Sequence, residues 1–83
     1  MSSITKRDLI QHLKKQFSDY NLTEKFLSHF VDDIFDTISY EIVESESLMI
    51  ANFGRFIIKH YGEDDIKKIE FLPSRSLKSK VNL

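Results

Sequence analysis

The stretch that decides the fold is Asn52-Phe53-Gly54-Arg55-Phe56, a short turn sequence between two apolar segments. Glycine lets a backbone turn where a side chain would clash, so we expect Gly54 to allow the chain to reverse here. Phe53 and Phe56 flank the glycine, and Phe71 follows further along the chain. Three such large rings are expected to meet in one core. The stretch therefore predicts a turn between strands that is packed on aromatic side chains.

Strands are predicted on both sides of this turn. Residues 48–51 form a short apolar run before it, and residues 56–61 after it are rich in β-branched and aromatic side chains. Residues 62–65 have the composition of a hairpin turn, and residues 66–72 run back. Because successive side chains of a strand alternate between faces, Lys59 and Lys68 are expected on the face opposite Phe56 and Phe71.

Helices are predicted before and after the strands. Thr5 and Asp8 resemble a capping box, and apolar residues at helical spacing follow over residues 6–18. Thr23 is the N-cap candidate for a longer helix over residues 24–43, and Ser74 is the candidate for a short last helix. The sequence therefore predicts an α+β fold in the order helix, helix, three strands, helix.

The long second helix is too apolar for a small monomer. Its apolar positions cover about half of the circumference, a wider stripe than one neighbouring helix requires. A chain of 83 residues has a marginal core, and the absence of cysteine removes disulfides as a source of stability. The alternative is a small α+β core that wraps tightly around this helix within one chain, but a second chain covers so broad a surface more readily, so the sequence favours a dimer.

The composition excludes several classes of protein. Without cysteine there is no thiolate zinc site and no thiol redox chemistry. A hydrophobic content of 41% with 30% charged residues is typical of a globular domain. No apolar run is long enough to span a membrane, and residues 1–15 lack the features of a signal peptide, so we expect a cytoplasmic protein. The whole chain, residues 1–83, is expected to form one domain.

The charge is unevenly distributed. The net charge of −1 separates into −4 for residues 1–52 and +3 for residues 53–83. Such a separation is typical either of ordinary surface charge or of one basic face opposite an acidic one.

The turn and its surroundings resemble the bacterial HU/integration host factor family of histone-like DNA-binding proteins. Asn-Phe-Gly-Arg-Phe is similar to the family's Gly-Phe-Gly-x-Phe, with Asn52 at the position of a glycine. Residues 5–10, Leu22-Thr23 and residues 71–78 resemble the family's two helix starts and its Phe-x-Pro-Gly-x-x-Leu-Lys ending. Four motifs in the family's order cover residues 4–82.

The resemblance implies an intertwined dimer whose two chains form a β-saddle on a helical base. It implies a homodimer, with a heterodimer left open, that binds double-stranded DNA in the nucleoid and needs no cofactor, metal or small-molecule substrate. The basic residues 53–83 would then face DNA. The implied DNA contacts are Lys6, Arg55, Lys59, Lys68, Arg75, Lys78 and Lys80, and the implied dimer core is Phe30, Ile34, Phe53, Phe56 and Phe71.

One family feature is missing from this chain. Family members extend two strands into a basic arm with an Arg-Asn-Pro tip, whose proline wedges between base steps and kinks the duplex. Here the strands close with Gly-Glu-Asp-Asp at residues 62–65, and the only proline is Pro73. We therefore expect a shortened arm, weaker bending and fewer phosphate contacts. Glu70, on the expected DNA face, also opposes tight binding.

Other functions have less support. His12, His29 and His60 have no cysteine or second histidine placed to complete a zinc site, although His29 lies near Asp32, Asp33 and Asp36. No serine, histidine and acid combination has a recognisable activating context, and no glycine-rich loop of the nucleotide-binding type is present, so an enzyme is not expected. The alternative hypothesis is a protein–protein interaction module that kept the fold and lost DNA binding, which the acidic turn favours.

Overall fold

The computed structural model describes residues 3–83 and contains the predicted elements in the predicted order. Two helices come first, α1 at Lys6–Gln16 and α2 at Glu24–Ser45, with a short 3₁₀ helix at Ser18–Tyr20 between them. Three strands follow, β1 at Ser47–Ile50, β2 at Gly54–Tyr61 and β3 at Ile66–Pro73. The chain closes with helix α3 at Arg75–Val81. The predicted α+β fold class is confirmed.

The helix starts follow the predicted caps. The Thr5 hydroxyl accepts a hydrogen bond from the Asp8 N–H, and the Asp8 carboxylate accepts one from the Thr5 N–H at 3.0 Å, which completes a capping box. These hydrogen bonds favour the ionised carboxylate and hold the pKa of Asp8 below its usual value. Thr23 Oγ1 accepts from Phe26 N–H at 3.0 Å, and Ser74 Oγ accepts from Leu77 N–H at 3.0 Å.

The element ends differ from the predictions by a few residues. Helix α1 stops at Gln16 rather than residue 18, because the next residues tighten into the 3₁₀ helix, whose C-cap is Asn21 with a left-handed φ of 53°. Helix α2 continues to Ser45, two residues beyond the predicted end. Strand β2 begins at Gly54 rather than at residue 56, because the sheet pairing already includes the glycine.

The three strands form one antiparallel sheet in the order β1-β2-β3. Strands β2 and β3 pair over their full length, from Gly54 opposite Pro73 to Tyr61 opposite Ile66. A four-residue turn, residues 62–65, joins them, with left-handed φ values of 71° at Gly62 and 50° at Asp65. The β2–β3 hairpin therefore closes at this four-residue turn, where the sequence predicts it.

The chain divides into two compact units at Asp36. In the first, Ile10, Leu27 and Val31 form a buried cluster against which Leu13 and Leu22 pack. In the second, residues 37–83, the rings of Phe53, Phe56 and Phe71 gather on the sheet. Whether residues 1–83 act as a single domain stays a prediction.

Within residues 3–83, no helix combines the length and the apolar character that crossing a membrane requires.

Candidate nucleic-acid interface

The β2–β3 pairing separates basic from aromatic side chains. Directly opposed residues in an antiparallel pair share a face, and successive residues alternate. Phe56 lies opposite Phe71, whereas Lys59 lies opposite Lys68, and the two pairs are separated by three residues on each strand, an odd number. We call the first side the aromatic face and the second, which also carries Arg55, the basic face. The predicted separation of these side chains is confirmed.

The Lys59 ammonium is neutralised by an acid on the same face. Its Nζ lies 2.7 Å from Glu70 Oε2, and this hydrogen bond raises the pKa of Lys59 above its usual value. Glu70 lies two residues along β3 from Lys68, the cross-strand partner of Lys59, so it shares the face of Lys59 and is within side-chain reach. The net charge that the basic face presents is therefore smaller than its lysines suggest.

Arg55 and Lys68 keep their charges unneutralised. Lys68 Nζ lies 5.4 Å from the centre of the Tyr61 ring, a cation–π contact that positions the ammonium without cancelling its charge. A guanidinium nitrogen of Arg55 lies 3.7 Å from the Met49 sulfur, a weak acceptor. In the part of the chain that the structure describes, neither cation forms an ion pair.

Helix α3 contributes the three C-terminal cations. The Ser74 N–H donates to the Phe53 carbonyl oxygen at 2.8 Å, which joins the start of this helix to the turn before β2. Arg75 and Lys78, three residues apart, share one side of α3, whereas Lys80 lies about 200° round the helix from Lys78. The structure thus brings Arg75 and Lys78 to one helix face and places Lys80 on another.

Lys6 belongs to the first unit and is already engaged. Its ammonium forms an ion pair with the Asp32 carboxylate of α2. It is the one predicted DNA contact that does not lie in residues 37–83.

The predicted dimer core forms two groups. The rings of Phe53, Phe56 and Phe71 lie on the sheet with centroid separations of 4.8 to 6.4 Å. Phe30 and Ile34 lie on α2, where Phe30 stacks on Phe26 with centroids 5.8 Å apart. All of the five except Phe56 are exposed in the single chain.

Sequence reasoning missed the surroundings of His60. Both nitrogens of its ring lie against carboxylates, Nδ1 against Asp65 and Nε2 against Glu46. The sequence carries a signal for Asp65 alone, which belongs to the predicted turn close to His60. Glu46 lies fourteen residues from His60 and could not be associated with it from the sequence. Within residues 3–83, no group of three or more histidine and acidic side chains is arranged to hold a metal ion.

Comparison with known proteins agrees with this geometry. The family model described as bacterial DNA-binding protein matches residues 4–69. Integration host factor subunit alpha of Psychrobacter arcticus is 34% identical over 59 residues, which are 71% of this chain and 57% of that protein. The same subunit of Psychrobacter cryohalolentis is 32% identical over the same shares. The match thus spans little more than half the length of these curated relatives.

Solved structures extend the similarity through the C-terminal segment that the family model does not reach. A mutant HU from Thermotoga maritima has a TM-score of 0.76 at 27% identity, covering 94% of this chain and 99% of that one. The Anabaena HU–DNA cocrystal structure has a TM-score of 0.73 with coverages of 94% and 97%, and at 13% identity it shows the shared fold alone. The sequence motifs, the fold and these matches lead to one conclusion: the chain belongs to the HU/integration host factor family of bacterial DNA-binding proteins.

Proposed function

We propose that this protein binds double-stranded DNA through phosphate contacts, as a homodimer and without strong sequence preference, and that residues 1–83 act as one HU-like domain. The observation that carries the proposal is the basic face of the sheet, where Arg55 and Lys68 remain unpaired. Membership in a family of DNA-binding proteins supports it, as does a relative solved together with DNA. The family is non-catalytic, in agreement with the prediction that the chain is not an enzyme.

The proposed contacts differ in how readily they reach a phosphate. Arg55 and Lys68 are free of ion pairs, whereas Lys59 and Lys6 must first leave Glu70 and Asp32. Cations that separate from a carboxylate on binding gain less from a phosphate than free ones. We therefore rank Arg55 and Lys68 first, followed by the α3 cations Arg75, Lys78 and Lys80, with Lys59 and Lys6 last.

Bending is proposed to be weaker than in members of the family that have an arm. The hairpin closes at residues 62–65, where Glu63 and Asp64 would repel a phosphate backbone. Without an apolar wedge carried on a long arm, the duplex has nothing inserted between its base steps. We infer a shallow docking on the backbone in the bacterial nucleoid.

The dimer is supported by apolar side chains that the single chain leaves uncovered. Phe30 is 52% exposed, Ile34 42%, Phe53 44% and Phe71 37%. Full burial of an exposed side chain of this kind is worth about 1.5–3 kcal/mol, and a second chain would gain the share that belongs to the part of each still exposed. The curated relatives are named as subunits, which also favours assembly.

A salt series of DNA titrations tests the proposal. Fluorescence anisotropy with a labelled duplex of arbitrary sequence should show binding that weakens steeply as salt rises, with a slope of about 0.9 for each phosphate contacted. Arg55→Gln and Lys68→Gln should each weaken binding and reduce the slope, and Lys15→Gln, an exposed charge on α1, should not. Absence of binding at the lowest salt would overturn the proposal and favour a protein–protein interaction module.

The mass of the protein in solution, with and without a second family member, distinguishes a homodimer from a heterodimer.

A further inference from the structure

The His60 ring joins two separate segments of the second unit. Nδ1 lies 2.6 Å from Asp65 Oδ1 in the β2–β3 turn, and Nε2 lies 2.8 Å from Glu46 Oε1 at the corner between α2 and β1. These segments are far apart in sequence, and the His60 side chain contacts an acid in each. Both distances are those of charge-assisted hydrogen bonds.

The geometry requires a particular protonation state. A neutral imidazole has one N–H donor and one bare nitrogen, whereas an ionised carboxylate only accepts. Two ionised carboxylates therefore need both ring nitrogens protonated. When the ring loses a proton, a bare nitrogen faces a carboxylate oxygen, and one of the two contacts becomes repulsive.

Both anchored segments have constrained backbones. Asp65 has a left-handed φ of 50°, and Glu46 one of 60°, a conformation that non-glycine residues adopt at a cost. The Glu46 carbonyl also accepts from Ile58 N–H at 2.9 Å, which ties the corner to β2. The side-chain contacts of His60 thus hold two positions that the local sequence alone does not favour.

The geometry points to His60 as a proton-dependent clamp that fastens the β2–β3 turn and the α2–β1 corner to the sheet, closed when the ring is charged and open when it is neutral. The groups that face the ring are Glu46 from the corner, Asp65 from the turn and, from β3, the cross-strand partner Lys67. The lysine opposes protonation, but the two carboxylates contact the ring directly. Their hydrogen bonds raise the pKa of His60 above its ordinary value of 6.5.

The sign of the pH dependence follows from this direction. A histidine whose pKa is higher in the folded than in the unfolded chain contributes stability that is fully present below the unfolded value, about 6.5. That contribution is lost as the pH rises through the folded value. Closing of the clamp is therefore expected in mildly acidic solution and opening in alkaline solution.

An NMR titration of the full chain without DNA tests the clamp. The His60 ring resonances should titrate with a midpoint above 6.5, and the backbone amides of residues 62–65 and Glu46 should shift with the same midpoint. Glu46→Gln and Asp65→Asn should each lower it. A His60 midpoint at or below 6.5, or turn amides that do not follow the ring, would overturn the inference even if the variants fail to fold.

Thermal unfolding gives a second readout. The wild-type Tm should fall as the pH rises through the folded-state midpoint, and His60→Gln should remove that component of the profile. His29→Gln is the matched control, because His29 is an exposed histidine on α2 outside the clamp. It should keep the wild-type profile. A His60→Gln profile parallel to the wild type would contradict the clamp whatever the DNA titrations show.

Discussion

At the residue scale, Asn52 and Gly54 meet different requirements in the same turn. Asn52 has the left-handed φ, 66°, and asparagine is among the residues that tolerate this conformation best. Gly54 is instead required by close packing, because a Cβ there would lie 2.6 Å from both the Leu72 carbonyl oxygen and the Phe71 ring. The clash expected for a side chain at residue 54 is thus confirmed, whereas the residue with the left-handed turn conformation is Asn52 rather than the glycine.

Gly54→Ala is expected to destabilise the protein. The clash involves a backbone oxygen, which cannot rotate away as a side chain can. The free energy of unfolding should therefore fall by about 3 kcal/mol, the upper end of the usual cost of overpacking. Chemical denaturation at equal protein concentrations measures it. Gly62→Ala is the control, since its φ is 71° but nothing lies within 4 Å of the added carbon, so it carries only the left-handed cost of about 1 kcal/mol. Equal losses in the two variants would refute the packing explanation.

At the element scale, the sheet has one aromatic and one basic face, and the basic face also carries an acidic residue, Glu70, that neutralises part of its charge. Alternation along β2 and β3 could be predicted from the sequence, and so could the presence of Glu70 among the lysines. The register decided which lysine it neutralises, because Glu70 lies two residues from Lys68, the cross-strand partner of Lys59, and on the same face. Register depends on the turn at residues 62–65 and on packing of the aromatic face, neither of which a strand pattern contains.

Glu70→Gln is therefore expected to strengthen DNA binding. The change frees Lys59 and removes a negative charge from the basic face, so the affinity should rise and the salt slope should steepen by about 0.9, one phosphate contact. Anisotropy titrations over a salt series measure both. Glu41→Gln removes the same charge from an exposed position on α2 and should leave the slope unchanged. A slope for Glu70→Gln equal to that of the wild type would show that Lys59 does not contact the backbone.

At the scale of the whole molecule, the single chain leaves part of its apolar surface uncovered. Phe26, Phe30 and Ile34 follow one another along one edge of α2, and all three are exposed. The broad apolar stripe predicted from the sequence is thus only partly buried within the chain. Leu27 and Val31 are buried, whereas the edge formed by Phe26, Phe30 and Ile34 is exposed. A contiguous exposed apolar edge is typical of an interaction surface.

Ile34→Asp is expected to break the proposed dimer. A buried, unpaired carboxylate is too costly for an apolar interface, so the mass in solution should fall to that of one chain and DNA binding should be lost with it. Light scattering and the anisotropy titration measure the two effects. Val43→Asp is the matched control, since Val43 is also exposed and apolar but lies nine residues on, on the other side of α2. A dimer that persists in Ile34→Asp would contradict the proposed interface.

The local pattern of the sequence was enough for the element types, the caps at Thr5, Thr23 and Ser74, the family and the two sides of the sheet. These features depend on spacing within a few residues, which the chain itself specifies. Contacts between distant residues were decided by tertiary structure: the Lys6–Asp32 and Lys59–Glu70 pairs, the approach of Leu72 to Gly54, and the His60 bridge from Glu46 to Asp65. Each joins residues that only the folded backbone brings within hydrogen-bond or van der Waals distance. For that reason the sequence predicted where positive charge lies, and the structure decided how much of it is free.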